Sequence, residues 1–396
     1  MRKICLFFLS LMIILSSCQR TPSIVNTNDS ISTSEESVNN DTLQSEALSI
    51  AENGDIEFIQ AIQIADGIFD IGSTLFPDPE AFVSARVLSS GRLLVWTMNV
   101  SNESVIYDYT TGEIVHRFSP AIIRLGMEHY FSQQQNGENS YTITLYDNDL
   151  NILAQHRTDR PAIPATDGVT ILYGERPPTM RNVHTNEKTE IAISDIAPEY
   201  EGGIFTWAFD GEWMFFRATA NPFLGNEGIG AYNVLTEQSV FSDDFPEMFA
   251  GLPETFGRSS AIFWQDGSAF GTDGTYSVIV DALNSDIRII DVGITANHMS
   301  DNGNILVAVD AVGIAWEEDI FDFPVQNTTL SQIIIYDAHS LEPISSRNFE
   351  PLIGVMAGSF GGGISVSEDG RYVFLRGFVY DGGSRRQSLF MIEMEL

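Results

Sequence analysis

Many short β-rich runs are separated by Gly, Asn and Asp, and a Gly-containing turn returns about every forty residues. An aromatic residue followed by Asp or Asn closes most of the third runs. These observations predict an all-β fold, a seven-bladed β-propeller of four-stranded antiparallel blades closed by an N-terminal strand. Six or eight blades, or a pair of β-sandwiches, are the alternatives that the spacing leaves open. From Ile56 to Leu396 no long stretch shows helical periodicity, so repetition is the natural way to organise so much β-structure.

The clearest repeat runs from Phe82 to Phe118. Ser90-Gly91 makes its first turn, Arg92 to Met98 its second strand, Ser104 to Tyr109 its third, and Glu113 to Phe118 its fourth. The first turn recurs as Asp167-Gly168, Asp210-Gly211, Asp266-Gly267, Asn302-Gly303 and Asp369-Gly370, with a weaker version at Gly126. Such pairs suit tight hairpins because both residues adopt positive φ cheaply. Tyr107-Asp108 ends the third strand, and this ending recurs as Tyr146-Asp147, His184-Thr185, Tyr232-Asn233, Val280-Asp281 and Tyr336-Asp337. The two signals together count seven units.

The last unit is incomplete. Gly363 to Val366, Arg371 to Phe378 and Leu389 to Glu393 supply three strands, and a spare strand, Ile56 to Ile64, precedes the first full unit. This N-terminal strand is expected to become the outer strand of the last blade, which removes the exposed edges of an open sheet.

The turn Ser367-Glu368-Asp369-Gly370 is the best copy of a Ser-x-Asp-Gly pattern, and on it the chain resembles bacterial β-propeller repeats of the WD-like and Tol-system kind. The Trp-Asp ending of WD repeats is absent, with Tyr-Asp at three of the equivalent positions. The resemblance therefore implies an architecture and carries over no functional residue.

Ahead of the repeats, Arg2 and Lys3 precede an apolar run from Ile4 to Leu15 that is too short to span a bilayer. Leu15-Ser16-Ser17-Cys18 follows, and it resembles the lipobox of bacterial lipoproteins. The resemblance implies that residues 1–17 are a removable signal peptide and that Cys18 is the lipidation site, carrying diacylglycerol and palmitate. Cys5 is the only other cysteine, so the mature chain has one thiol and no internal disulfide. Gln19 stands where an inner-membrane retention signal places aspartate. The expected address is the bacterial cell envelope, on the extracytoplasmic side of the cell membrane or outer membrane, with the membrane as a partner through the anchor.

Residues 18–55 are rich in Ser, Asn, Thr, Asp and Glu and contain no aromatic residue, so they read as a flexible tether. Its root-mean-square reach is roughly 30 to 35 Å. Residues 56–396 form the propeller domain.

Fifty-four acidic residues against twenty basic ones give a net charge of −34, and loss of Arg2 and Lys3 takes the mature chain to −34 − 2 = −36. A surface of this sign repels phosphate backbones, so nucleic acid is excluded as a partner.

Long insertions fall at Thr219 to Gly228, Asp243 to Gly257, Gly313 to Leu330, Glu350 to Gly361 and Asp381 to Arg386. All lie between second and third strands or between blades, and these two loop classes emerge on one face of a propeller. One loop carries Phe245, Met248, Phe249 and Phe256, and another carries Trp316, Glu317, Glu318, Asp319, Phe321, Asp322 and Phe323. Aromatics interleaved with carboxylates suit a protein, peptide or glycan ligand. The expected role is thus a membrane-anchored extracytoplasmic binding or scaffold protein.

No residue is assigned a catalytic role, and no cofactor or metal is expected. The six histidines form no metal-spaced pair, and only His298 falls on an inner strand facing the channel. Asp147-Asn148-Asp149-Leu150-Asn151 has alternating oxygen ligands but lacks the later glycine and the distant glutamate of a calcium loop. The alternative reading is an extracellular enzyme acting on a glycan or lactone, with paired carboxylates at the channel mouth and Arg86 or Arg124 nearby.

Overall fold

The computed structural model describes residues 57–396 apart from 79–82, 89–90, 98–101, 175–176, 193–195, 197–203, 220–226, 244–253, 258, 265–276, 291–295, 319–323, 350–353, 356–362 and 382–383. Seven four-stranded antiparallel blades follow one another along the chain and around a ring. Blade one is Val83–Leu88, Arg92–Thr97, Ser104–Asp108 and Glu113–Phe118, within a residue or two of the repeat read from the sequence. Blades two to five begin at Ile122, Ile163, Ile204 and Glu254, blade six at Ala296 and blade seven at Ile364.

Both faces of every blade are covered by neighbours, which explains the near-continuous apolar second strands. In Arg92–Thr97, Leu93 and Val95 pack toward Phe374, Leu389 and Met391 of blade seven, while Leu94 packs toward Ile122 and Tyr130 of blade two. Other apolar clusters fill the remaining junctions, so the core is distributed around the ring. Full burial of a Leu or Val contributes about 1.5–3 kcal/mol.

Aspartate or asparagine at the end of the third strand has a local cause. The side chains of Asp108, Asp147, Asn182, Asn233 and Asp337 each accept two backbone N–H bonds from the following turn at 2.8–3.1 Å. Such turns tie off two donors that the strand ladder leaves open. In blade three the sequence reading is corrected: Asn182 is the acceptor, and His184 and Thr185 supply the N–H groups. Asp147-Asn148-Asp149-Leu150-Asn151 is a turn of this kind, with Leu150 at φ 66°.

The first turns of blades six and seven are copies of one another. Ser300 and Ser367 each donate a hydroxyl to the Asx two residues on, Asn302 and Asp369, and accept the N–H of Ile305 and Tyr372 at 3.0 Å. Gly303 and Gly370 follow with φ of 73° and 74°, a conformation that favours glycine.

Closure uses an N-terminal strand, but not the one that was expected. Ile68–Asp70 pairs with Ser384–Glu393 and completes blade seven, and Ile62–Ala65 adds one strand outside it. Glu57–Phe58 pairs instead with the outer strand of blade one. The physical reason lies in the residues themselves. Ile68 and Asp70 are buried, and the Asp70 carboxylate accepts bonds from Ser388 Oγ and from the Ser73 N–H at 3.1 Å. Ile62, by contrast, is half exposed.

Candidate functional site

The two faces of the ring differ. On the face bearing the first-hairpin turns, the chain converges on the axis. The inner strand of blade one places Arg86 there, that of blade two places Arg124, and the turn of blade six places Asp301. Arg86 Nη2 lies 3.2 Å from Asp301 Oδ1, and Arg124 Nε lies 4.0 Å from Asp301 Oδ2. The Arg124 guanidinium also donates to Tyr130 Oη at 3.0 Å and to the Gly126 carbonyl at 3.1 Å. Burial pulls Arg124 below its ordinary value and Arg86 acts the same way, while Tyr130 and Asp301 oppose them.

The backbone is closely packed at this end. A Cβ on Gly126 would sit 2.8 Å from the Asp210 carbonyl, and one on Gly257 would sit 2.6 Å from the Asp301 carbonyl. The Asp210 carboxylate binds the N–H groups of Glu212, Trp213 and, from blade five, Ser259. Burial raises its pKa despite these bonds.

On the opposite face, blades six and seven carry the longest described hairpins. Among the described residues the inner strand Ala296–Met299 pairs with Leu306 to Val309, and the hairpin of Ile305–Glu318 and Pro324–Asp337 runs on to the Glu318–Pro324 pair. The hairpin of Tyr372–Asp381 and Ser384–Glu393 is similarly long. Gly354–Val355 bridges them, pairing with Thr328 and Thr329 on one side and with Gly377 and Phe378 on the other. Blades six and seven thereby share one ten-stranded sheet.

Among the described residues, two insertions expected as loops are mostly strand and a third contributes a short one. Gly313 to Leu330 and Asp381 to Arg386 are mostly strand, and Glu350 to Gly361 contains the bridge. Trp316, Glu317 and Glu318 lie on a strand, opposite Gln326, Val325 and Pro324. Asp319, Phe321, Asp322 and Phe323 lie outside the described residues, as do Phe245, Met248, Phe249 and Cys18. Phe256 belongs to the inner strand of blade five and is buried with Ile262 and Met299, so it is a core ring and not an exposed one.

Asp301 is the residue that the sequence reading missed. It occupies the variable position of Ser300-Asp301-Asn302-Gly303, and only ring closure brings blade six opposite blades one and two. Of the histidines, His298 is buried on the inner strand of blade six.

No protein-family model matches the chain, and no curated protein matches it. Among solved structures 441 chains match. One of them, from "Crystal Structure of Mitotic Checkpoint Complex", is similar at 10% sequence identity and a TM-score of 0.40, over 95% of this chain and 100% of that chain. Likeness at this level says nothing of function, and the propeller assignment rests on the strand pairing described above.

Proposed function

We propose that this chain is a non-enzymatic binding or scaffold propeller, lipid-anchored at Cys18 on the extracytoplasmic side of a bacterial envelope. It captures a protein, peptide or glycan through the long hairpins of blades six and seven. The observation that supports this reading is the bridged pair of long hairpins, which elaborates one side of one face while the short-turn face stays plain. Repeat proteins place binding elements on such one-sided elaborations. A tether of roughly 30 to 35 Å gives those hairpins room to reach a partner above the lipid surface.

The rival reading, hydrolysis of a glycan or lactone, needs two carboxylates at a working separation. Among the described residues the ion-pair partners of Asp301 are cations, Arg86 and Arg124.

Two experiments test the proposal. Detergent phase partitioning should place the wild-type chain with membranes and the Cys18→Ala variant in the aqueous phase, because two acyl chains supply about 0.8 kcal/mol per buried methylene. Equal aqueous partitioning would remove the anchor. Replacing Trp316 and Phe321 with Ala should weaken capture from an envelope extract without lowering the melting temperature, whereas unchanged capture by a folded variant would move the site elsewhere.

A further inference from the structure

On the short-turn face, away from the long hairpins, a cleft of about 330 Å³ opens between blades one and two. Its lining combines the apolar Leu88, Ile106 and Leu150 with Arg92, His116, Arg124, Tyr130, Asn148 and Asp149. A convergence of basic side chains is notable in a chain with a net charge of −34. Arg92 is exposed and makes no ion pair among the described residues, so its guanidinium fork is available. Arg124 is committed to its carbonyl and Tyr130 bonds and to Asp301, so its part in the cleft is to orient Tyr130. Tyr130 Oη accepts from Arg124, which leaves its own hydroxyl proton to donate into the cleft.

We infer that this cleft binds a small oxyanion-bearing molecule, a carboxylate or a phosphate ester, with the anionic group on Arg92 and Tyr130 and its body over Leu88, Ile106 and Leu150. The volume is that of a small-molecule pocket, which fits neither a polymer nor a folded partner. A planar guanidinium fork matches either oxyanion bidentately. Asn148 and Asp149 offer a donor and an acceptor for a hydroxyl on the ligand body. His116 is held below its ordinary pKa first by burial and then by the Arg92 charge, so an anion seated on Arg92 raises it again. The site is independent of the proposed role of the hairpins, and either reading stands if the other fails.

Titration calorimetry on the full chain with inorganic phosphate and with glucuronate, using glucose as the neutral control, tests the site. One of the two anions should bind saturably while glucose does not, which also separates the phosphate from the carboxylate source. Arg92→Gln should weaken that binding at least tenfold, consistent with loss of a charge-assisted hydrogen bond. Arg288→Gln, a charge change in blade five, should leave it unchanged. The NMR signal of the His116 ring should shift toward the protonated form on saturation. Absence of saturable binding by either anion, or equal weakening by the two arginine variants, would overturn the assignment.

Discussion

Arg86 and Asp301 stand 3.2 Å apart, although they are 215 residues distant in sequence and sit on blades one and six, which are not neighbours in the ring. Asp301 is buried and Arg86 is half-buried, and the buried Arg124 of blade two approaches the same carboxylate. One acid thus compensates two cations at the axis and ties three blades together. Asp301→Ala leaves both guanidinium groups without a counter-charge and should destabilise the fold by about 3 kcal/mol. The double variant Arg86→Met with Asp301→Ala should lose less than the sum of the single changes. Denaturant unfolding of the three variants measures both quantities.

The closing strand makes a second prediction. Asp70 in that strand accepts a hydrogen bond from Ser388 in the last strand, and Ser388 Oγ in turn accepts the Ser73 N–H at 3.0 Å. Asp70→Ala should cost about 2 kcal/mol, and the cycle with Ser388→Ala should show coupling. A Cβ on Gly72 would collide with the backbone N of Leu389, so Gly72→Ala should be more damaging still. Loss of closure exposes sheet edges, and light scattering should then report aggregation on mild heating.

The twin turns predict twin energetics. Ser300 and Ser367 hold the same two bonds in blades six and seven, so Ser300→Ala and Ser367→Ala should each cost roughly 1–2 kcal/mol. Thermal unfolding of the two variants should give similar shifts, and a large difference would mean that the two turns are not equivalent.

Acid stability should follow the Asx turns. Hydrogen bonds from Asn151 hold Asp147 below the ordinary aspartate value of 3.8, and bonds from Ser340 do the same for Asp337. At Asp108 burial works upward, but the bonds from Thr110 and Thr111 outweigh it and the carboxyl is lowered. A lowered folded pKa contributes stability that is present above 3.8 and is lost as pH falls through the folded value. Asp210 has the opposite sign: its pKa is raised by burial, so its contribution is full below 3.8 and declines as pH rises through the folded value. Unfolding free energy should therefore drop below about pH 4 in the wild type. It should drop less steeply when Asp147 and Asp337 are both replaced by Asn, which keeps an acceptor without the titration.

Much of this architecture is legible in the sequence because its signals are local. The four strands of the first repeat appear almost to the residue, since Gly91 needs positive φ and Asp108 caps its own turn. The closing strand is not legible locally, because Ile56 to Ile64 and Ile68–Asp70 are both short and apolar. What separates them is the bond between Asp70 and Ser388, a contact across 318 residues. The sequence marks Gly313 to Leu330 as an insertion by its length alone, whereas the pairing runs past Gly313 as far as the Glu318–Pro324 pair. The axial trio was half visible, with Arg86 and Arg124 near the channel and Asp301 hidden in a turn that any small polar residue satisfies.

The long hairpins of blades six and seven are the centre of the functional account, and shortening one of them tests it most directly. Residues 313–328 replaced by Asn-Gly would let the strands turn just beyond the Val312–Thr329 pair, removing Trp316, Phe321 and the contact of Thr328 with Val355. Partner capture from an envelope extract is then compared with the intact chain, alongside the far-ultraviolet spectrum and the unfolding midpoint. The account predicts that capture is lost while the spectrum and midpoint of the ring stay near those of the intact chain. Capture at the intact level by a folded, shortened protein would contradict it.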